Sequence, residues 1–155
     1  MKYIKGDLVR DAKQFEIIVQ QCNCFCTMGA GIAPQIKRNF PEAYEVDCET
    51  KRGDESKLGT ITYTKSTSPI IINAYGQYGM GGQIETNYEA LRSCMKEIKK
   101  IFSGKRIAMP LIGAGLAGGD WTIINKIIEE ELYNEDVSII IWERDSQNLI
   151  KFNLS

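Results

Sequence analysis

Phe15-Glu16-Ile17-Ile18-Val19-Gln20-Gln21-Cys22-Asn23 is the stretch on which the fold turns. Its first half is β-branched and apolar, a strong strand signal. It runs directly into Cys24-Phe25-Cys26-Thr27-Met28-Gly29-Ala30-Gly31-Ile32, a loop of glycines and small residues. Strands with unbroken apolar runs are buried on both faces, as in parallel sheets covered by helices. Arg106 to Met109 and Val137 to Trp142 read the same way. Working outward, Met1 to Gly6 reads as a short first strand. Gly59 to Thr64 and Pro69 to Ala74 read as a strand pair joined by a Ser/Thr turn.

Helix signals alternate with these strands. Gly31 to Phe40 places Ile32, Ile36 and Phe40 four apart on one face, and Pro41 opens a second short helix at the first-turn position proline prefers. Thr86-Asn87-Tyr88-Glu89 has the spacing of a capping box; Tyr88, Leu91, Met95, Ile98 and Phe102 follow at steps of three and four. Asp120 caps a further helix with Trp121, Ile124, Ile128 and Leu132 inward, and a short helix or tail follows the last strand. The alternation predicts an α/β fold: a three-layer α/β/α sandwich with a mixed, mostly parallel central sheet. At 155 residues, without internal repeats, the expected organisation is one domain over 1–155. Ligands in such folds sit at the carboxyl ends of the strands.

Composition narrows the chemistry. The net charge of −1 argues against a duplex nucleic acid, which needs a basic face. Lys96, Lys99, Lys100, Lys105 and Arg106 read as the solvated face of a helix and the turn after it. No apolar run approaches a membrane span, and the first residues lack a signal-peptide core. A cytoplasmic monomer without membrane contact is expected. The wealth of Ile, Lys and Asn suggests an AT-rich genome such as a phage's. Cys22, Cys24, Cys26, Cys48 and Cys94 are an odd number and read as reduced thiols. Their spacing, with no histidine in the chain, gives no metal site. Lack of histidine also removes Ser-His and Cys-His pairs, leaving carboxylates, water, a thiol or the substrate's own groups. No cofactor is expected.

Most of the 14 glycines fall in three loops that follow strands. Gly29 and Gly31 lie in the first, Gly76, Gly79, Gly81 and Gly82 in the second, and Gly113, Gly115, Gly118 and Gly119 in the third. Such clusters before helix starts either serve as turns or expose backbone amides to an anion. Gly113-Ala114-Gly115-Leu116-Ala117-Gly118 matches the dinucleotide fingerprint, but that motif opens a larger domain, whereas here one strand follows. The phosphate-cradling logic survives without the dinucleotide.

Four quoted segments in order, Gly6-Asp7-Leu8, Cys22-Asn23-Cys24, Met28-Gly29-Ala30-Gly31-Ile32-Ala33 and Met109-Pro110-Leu111-Ile112-Gly113-Ala114-Gly115-Leu116, resemble a macrodomain from Tyr3 to about Arg144. The likeness is to the small single-domain branch, with ADP-ribose 1″-phosphate phosphatases of yeast and phage type and glutamate-type terminal ADP-ribose deglycosylases. That resemblance implies ADP-ribose or ADP-ribose 1″-phosphate as ligand, with ADP-ribosylated macromolecules as further partners. Asp7 would take the adenine amino group beside the Leu8 amide, or else cap a turn. Trp142 would stack on adenine, or else belong to the core. Asn23 would hold the distal ribose and share in catalysis. Met28, Gly29, Ala30, Gly31 and Ile32 would face the distal ribose or its phosphate. Ile112, Gly113, Ala114, Gly115 and Leu116 would wrap the diphosphate, and Asn73, Ala74 and Tyr75 would complete the substrate site from the loop after the fourth strand.

Departures from the family pattern bear on mechanism. Ala74-Tyr75 sits near the place of the deglycosylase lysine, Ala117 near its aspartate, and Gln20 replaces a phosphatase histidine. Asp120 is the acid left near the loops; it either activates water or caps its helix. The leading expectation is a phosphatase acting on ADP-ribose 1″-phosphate. The alternatives are an ADP-ribosyl hydrolase on protein or nucleic acid, and a non-catalytic ADP-ribose reader.

Overall fold

The computed structural model describes residues 1–82 and 84–142. Its strands are β1 (Lys2–Lys5), β2 (Ile17–Gln21), β3 (Ile61–Tyr63), β4 (Ile70–Ala74), β5 (Arg106–Met109) and β6 (Asp136–Ile141). They form one sheet in the order β1-β6-β5-β2-β4-β3, parallel except for β3, which runs antiparallel to β4. The expected mixed, mostly parallel sheet is thus the observed one. The closing helix or tail, and Glu143, lie outside the described residues.

Side chains alternate across each strand, so each face collects every second residue. Ile17, Val19, Ile72, Ala74, Ile107, Met109, Val137, Ile139 and Ile141 pack under α3 (Tyr88–Phe102) and α4 (Trp121–Glu131). Ile18, Ile71, Ala108 and Ile140 face α1 (Ala33–Asn39) and α2 (Pro41–Cys48). Leu91, Met95, Ile98 and Phe102 of α3 are buried, as are Trp121, Ile124 and Ile128 of α4 and Leu132 just after it. Helical spacing had picked out these residues. Pro41 does open α2.

Two local expectations need correction. Helix α1 starts at Ala33, not Gly31: Gly31 has φ +63°, outside the right-handed helical region, so residues before Ile32 stay in the loop. The α3 cap is Asn87, whose side chain accepts from the Ala90 amide at 3.0 Å, not Thr86. Thr86 instead donates to the Gly113 carbonyl at 2.7 Å. The side chain one place nearer the helix takes the cap, which frees Thr86 to tie two loops together. Three of the five basic residues are paired: Lys99 meets Glu135 at 3.1 Å, and Lys105 and Arg106 meet Glu16 at 3.7 and 3.4 Å.

Strand order reverses about β2: the chain passes from β2 to one side through β4 and then to the other through β5. Loops leaving β2 and β5 therefore part in opposite directions and open a crevice between them.

Candidate functional site

That crevice is a cleft of about 1190 Å³. The loops after β2 and β5 form its walls, and Asp7, Leu8 and Trp142 lie along it with them. Asn23, Met28, Gly29, Ala30, Gly31, Ile32, Ile112, Gly113, Ala114, Gly115 and Leu116 all line it. These residues lie far apart in sequence, and the strand ends bring them together.

Unpaired backbone amides occur on both walls. Among the described residues, the amides of 27–32 donate no hydrogen bond, nor do those of Leu8, Gly115, Leu116 and Ala117. Unpaired amides at the head of a loop–helix junction have the donors to hold an anion. Cys26 and Met28 hold left-handed φ values of 56° and 42°, a conformation that costs non-glycine residues about 1–3 kcal/mol. That strain turns successive amides of this loop outward rather than into a helix. The lining includes Asp7, Asp47 and Glu85 but, among the described residues, neither Lys nor Arg. A negatively charged ligand here would be held by amide dipoles, not by paired cations.

A glutamine clamps the loops. Gln21, the last residue of β2, donates through Nε2 to Gln77 Oε1 and to Thr86 Oγ1, both at 3.0 Å. Its Oε1 is buried without a hydrogen-bond partner among the described residues. A Cβ on Gly76 would stand 2.4 Å from that oxygen, so glycine there makes room for the clamp. On the other wall, the Ala117 carbonyl accepts from the Glu85 and Thr86 amides at 2.7 and 3.2 Å. The loop from Met80 lies across Asn23: Asn23 Nδ2 reaches Thr27 Oγ1 at 2.7 Å and Met80 Sδ at 3.9 Å. Asn23 Oδ1 accepts from the Phe25 amide at 2.8 Å, which shapes the loop.

At the other end, Asp7 Oδ1 accepts from the amides of Val9 and Arg10 at 3.1 and 3.0 Å. The turn-capping role is therefore real. It leaves Oδ2 unbonded among the described residues, beside the Leu8 amide. Trp142 is 38% exposed, too open for a core tryptophan, and lines the cleft.

Some expected residues are not brought into the cleft. Asn73, Ala74 and Tyr75 are fully buried beneath it. Asn73 donates to the Ala43 carbonyl at 2.9 Å and Thr62 Oγ1 at 3.1 Å, and accepts from Gln20 Nε2 at 3.0 Å. β4 continues through Ala74, so Asn73 and Ala74 belong to the sheet, and Tyr75 follows it directly. Asp120 lies outside the lining as well: its Oδ1 accepts from the Thr122 amide at 2.9 Å, and its own amide donates to Tyr88 Oη at 2.9 Å. Its carboxylate turns back over the first turn of α4, as an N-cap must.

The sequence reading missed Asp47, Gln77, Met80 and Glu85 as lining residues, and Gln21 as a clamp. Asp47 lies in α2 between Glu45 and Glu49 and has no periodic signal to distinguish it. Strand alternation from Gln20, which faces the helix-α2 side, could have placed Gln21 on the opposite face.

Comparison with known proteins finds the same fold. The macro domain profile matches residues 19–128, and the chain belongs to the macro domain family. It is 37% identical over 152 residues to a 17.5 kDa protein from the tk-vs intergenic region of Enterobacteria phage T4, covering 92% of this chain and 97% of that one. It is 30% identical over 167 residues to the ADP-ribose 1″-phosphate phosphatase of Debaryomyces hansenii, covering 84% of this chain and 93% of that one. The macrodomain of Thermus aquaticus DarG superposes with a TM-score of 0.70 at 25% identity, covering 92% of this chain and 97% of that one. Among the described residues, no helix is long and apolar enough to cross a membrane.

Proposed function

We propose that this chain binds ADP-ribose in the cleft and hydrolyses ADP-ribose 1″-phosphate to ADP-ribose and inorganic phosphate. The observation that carries the reading is the pair of unpaired amide rows, 27–32 and 115–117, on facing walls of one cleft without a lining cation. One row suits a diphosphate, the other a terminal phosphate on the distal ribose. Asp7 Oδ2 and the Leu8 amide then offer an acceptor and a donor to the adenine edge. The exposed Trp142 ring offers a stacking face worth about 1–3 kcal/mol. Asn23, pinned by Thr27, would hold the distal ribose hydroxyls. The name of the Debaryomyces relative supports the same substrate.

Parallel incubation with ADP-ribose 1″-phosphate and with mono-ADP-ribosylated protein tests the reading. Phosphate release from the first is expected. ADP-ribose release from the second alone would replace the phosphatase with an ADP-ribosyl hydrolase, and neither release would leave a reader.

Asp7→Ala tests the orientation of the ligand. It is expected to weaken ADP-ribose binding by about 1–3 kcal/mol, the range for a lost contact to a base edge. Ribose 5-phosphate, which lacks adenine, should lose far less in the same calorimetric titration. Equal losses would assign Asp7 to its turn alone.

A further inference from the structure

We propose that Asp47 is the acid–base group of the cleft: the carboxylate that takes a proton from the attacking water and returns it to the leaving oxygen. The inference takes its reaction from the phosphatase reading above.

Position comes first. Asp47 lies in the last turn of α2 and lines the cleft with Cys22, Asn23, Thr27 and Met28, beside one of the two amide rows. It is only 1% exposed. Tyr75 Oη donates to its Oδ1 at 2.7 Å, and the same hydroxyl lies 3.0 Å from Thr62 Oγ1. Oδ2 is the oxygen not taken by Tyr75, with the Cys26 thiol as a nearby donor to the carboxylate. One oxygen is therefore fixed from below while the other is left for the cleft.

The support beneath it is unusual for a core. Gln20, Asn73, Thr62 and Tyr75 form a hydrogen-bonded chain that ends on Asp47. Gln20, Asn73 and Tyr75 are fully buried. Apolar side chains of similar volume would fill this layer at no greater cost in stability, as replacements of buried polar sets show. A network retained under a cleft instead fixes the orientation of the group at its end.

The charged and titratable groups facing Asp47 come from three directions. Tyr75 approaches from the position just after β4. Lys57, in a 3-10 turn at Glu55–Lys57, donates to the Cys24 carbonyl at 3.0 Å and stands 5.0 Å from the Tyr75 ring centroid. Cys22 and Cys26 come from the loop after β2, and Cys26 Sγ donates to the Asp47 carbonyl at 3.1 Å. On its own helix, Tyr44 and Cys48 are the near titratable neighbours. Burial raises the Asp47 carboxyl above its ordinary value, against the opposing pull of the Tyr75 hydroxyl, Lys57 and Cys26. A base tuned upward in this way works closer to neutral pH, which suits a site without histidine.

Rival carboxylates are otherwise engaged. Asp120 caps α4, and Asp7 lies beside Leu8 at the turn after β1. Glu85 accepts the Gly82 amide at 2.8 Å on a surface loop.

The step balances without a co-reactant. The water oxygen bonds to phosphorus as Asp47 removes one of its protons. The bond from phosphorus to the oxygen on C1″ breaks, and its electron pair goes to that oxygen. The oxygen then takes the proton from Asp47, giving ADP-ribose, inorganic phosphate and the original carboxylate.

Asp47→Asn keeps an oxygen for the Tyr75 hydroxyl, so the test is a comparison of wild type, Asp47→Asn and Glu85→Gln on ADP-ribose 1″-phosphate across pH. Asp47→Asn is expected to bind ADP-ribose with unchanged affinity and to release phosphate about 10²–10⁴-fold more slowly, without the wild-type loss of rate at acid pH. An Asp47→Asn enzyme with the wild-type rate and acid limb overturns the inference, as does loss of that limb in Glu85→Gln alone. A second measurement needs no variant: in ¹³C-carboxyl NMR of the wild type, the Asp47 resonance should titrate above the ordinary aspartate range and shift when ADP-ribose saturates the cleft. A wild type that releases no phosphate would refute the phosphatase reading, and the NMR titration then decides Asp47 separately. A resonance indifferent to ADP-ribose would remove it from the site.

Discussion

Gly119→Ala is expected to weaken ADP-ribose binding more than about 100-fold, or about 2.8 kcal/mol, while the protein stays folded. The new Cβ would stand 2.5 Å from the Gly113 carbonyl oxygen and 2.8 Å from Ile124 Cδ1. The first of these is backbone and cannot swing aside. It is also the acceptor for the Gly119 amide, at 2.8 Å, and for Thr86 Oγ1. Those two bonds close the loop on itself and tie it to the start of α3. Relief of the clash must move the loop, and with it the unpaired amides at 115–117. The backbone part of the clash lies within the loop, and Ile124 meets it only with the end of its side chain, so circular dichroism should remain close to that of the wild type. Calorimetric titration checks the binding; affinity within threefold of the wild type would show that this loop does not hold the ligand.

Trp121→Ala is expected to act on stability instead, at about 3–5 kcal/mol, the usual cost of emptying a large aromatic site. Trp121 is 1% exposed and meets the Tyr3 ring edge-on at a centroid distance of 6.4 Å. It thus fastens α4, and the end of the loop before it, to the β1 edge of the sheet. For a chain of this size the melting temperature should fall by roughly 6–20 °C. Urea unfolding should show a lower midpoint with an unchanged slope. A loss under about 1 kcal/mol would mean that neighbouring side chains collapse into the space.

The two substitutions mark how far the sequence could be read. Trp121 was legible as core because helical spacing with Ile124 and Ile128 reports burial directly. The strands were legible for the same reason, and so was the position of the glycine loops, since clustered glycines mark chain reversals at strand ends. What separates Asp120 from Asp47 is not periodic. Both are aspartates at helix ends, but one precedes its helix, where a carboxylate is drawn onto the first-turn amides. The other lies in a last turn, where a tyrosine just past the end of a distant strand holds it. That pairing joins residues 28 positions apart and leaves no local trace. Tyr75 directly follows the strand end, and its hydroxyl turns down to Asp47 and Thr62 and not into the cleft, a contact with no local trace. Gln21 shows the same limit, because its amide partners, Gln77 and Thr86, come from segments that only the sheet order brings near.

The central claim is that one cleft, built from the loops after β2 and β5, holds ADP-ribose by backbone amides. Isothermal titration of the wild-type protein with ADP-ribose tests it most directly. One molecule per chain at micromolar affinity is the expected result, together with a melting temperature that rises with ligand concentration by mass action. No heat of binding and no thermal shift at millimolar ADP-ribose would contradict the account.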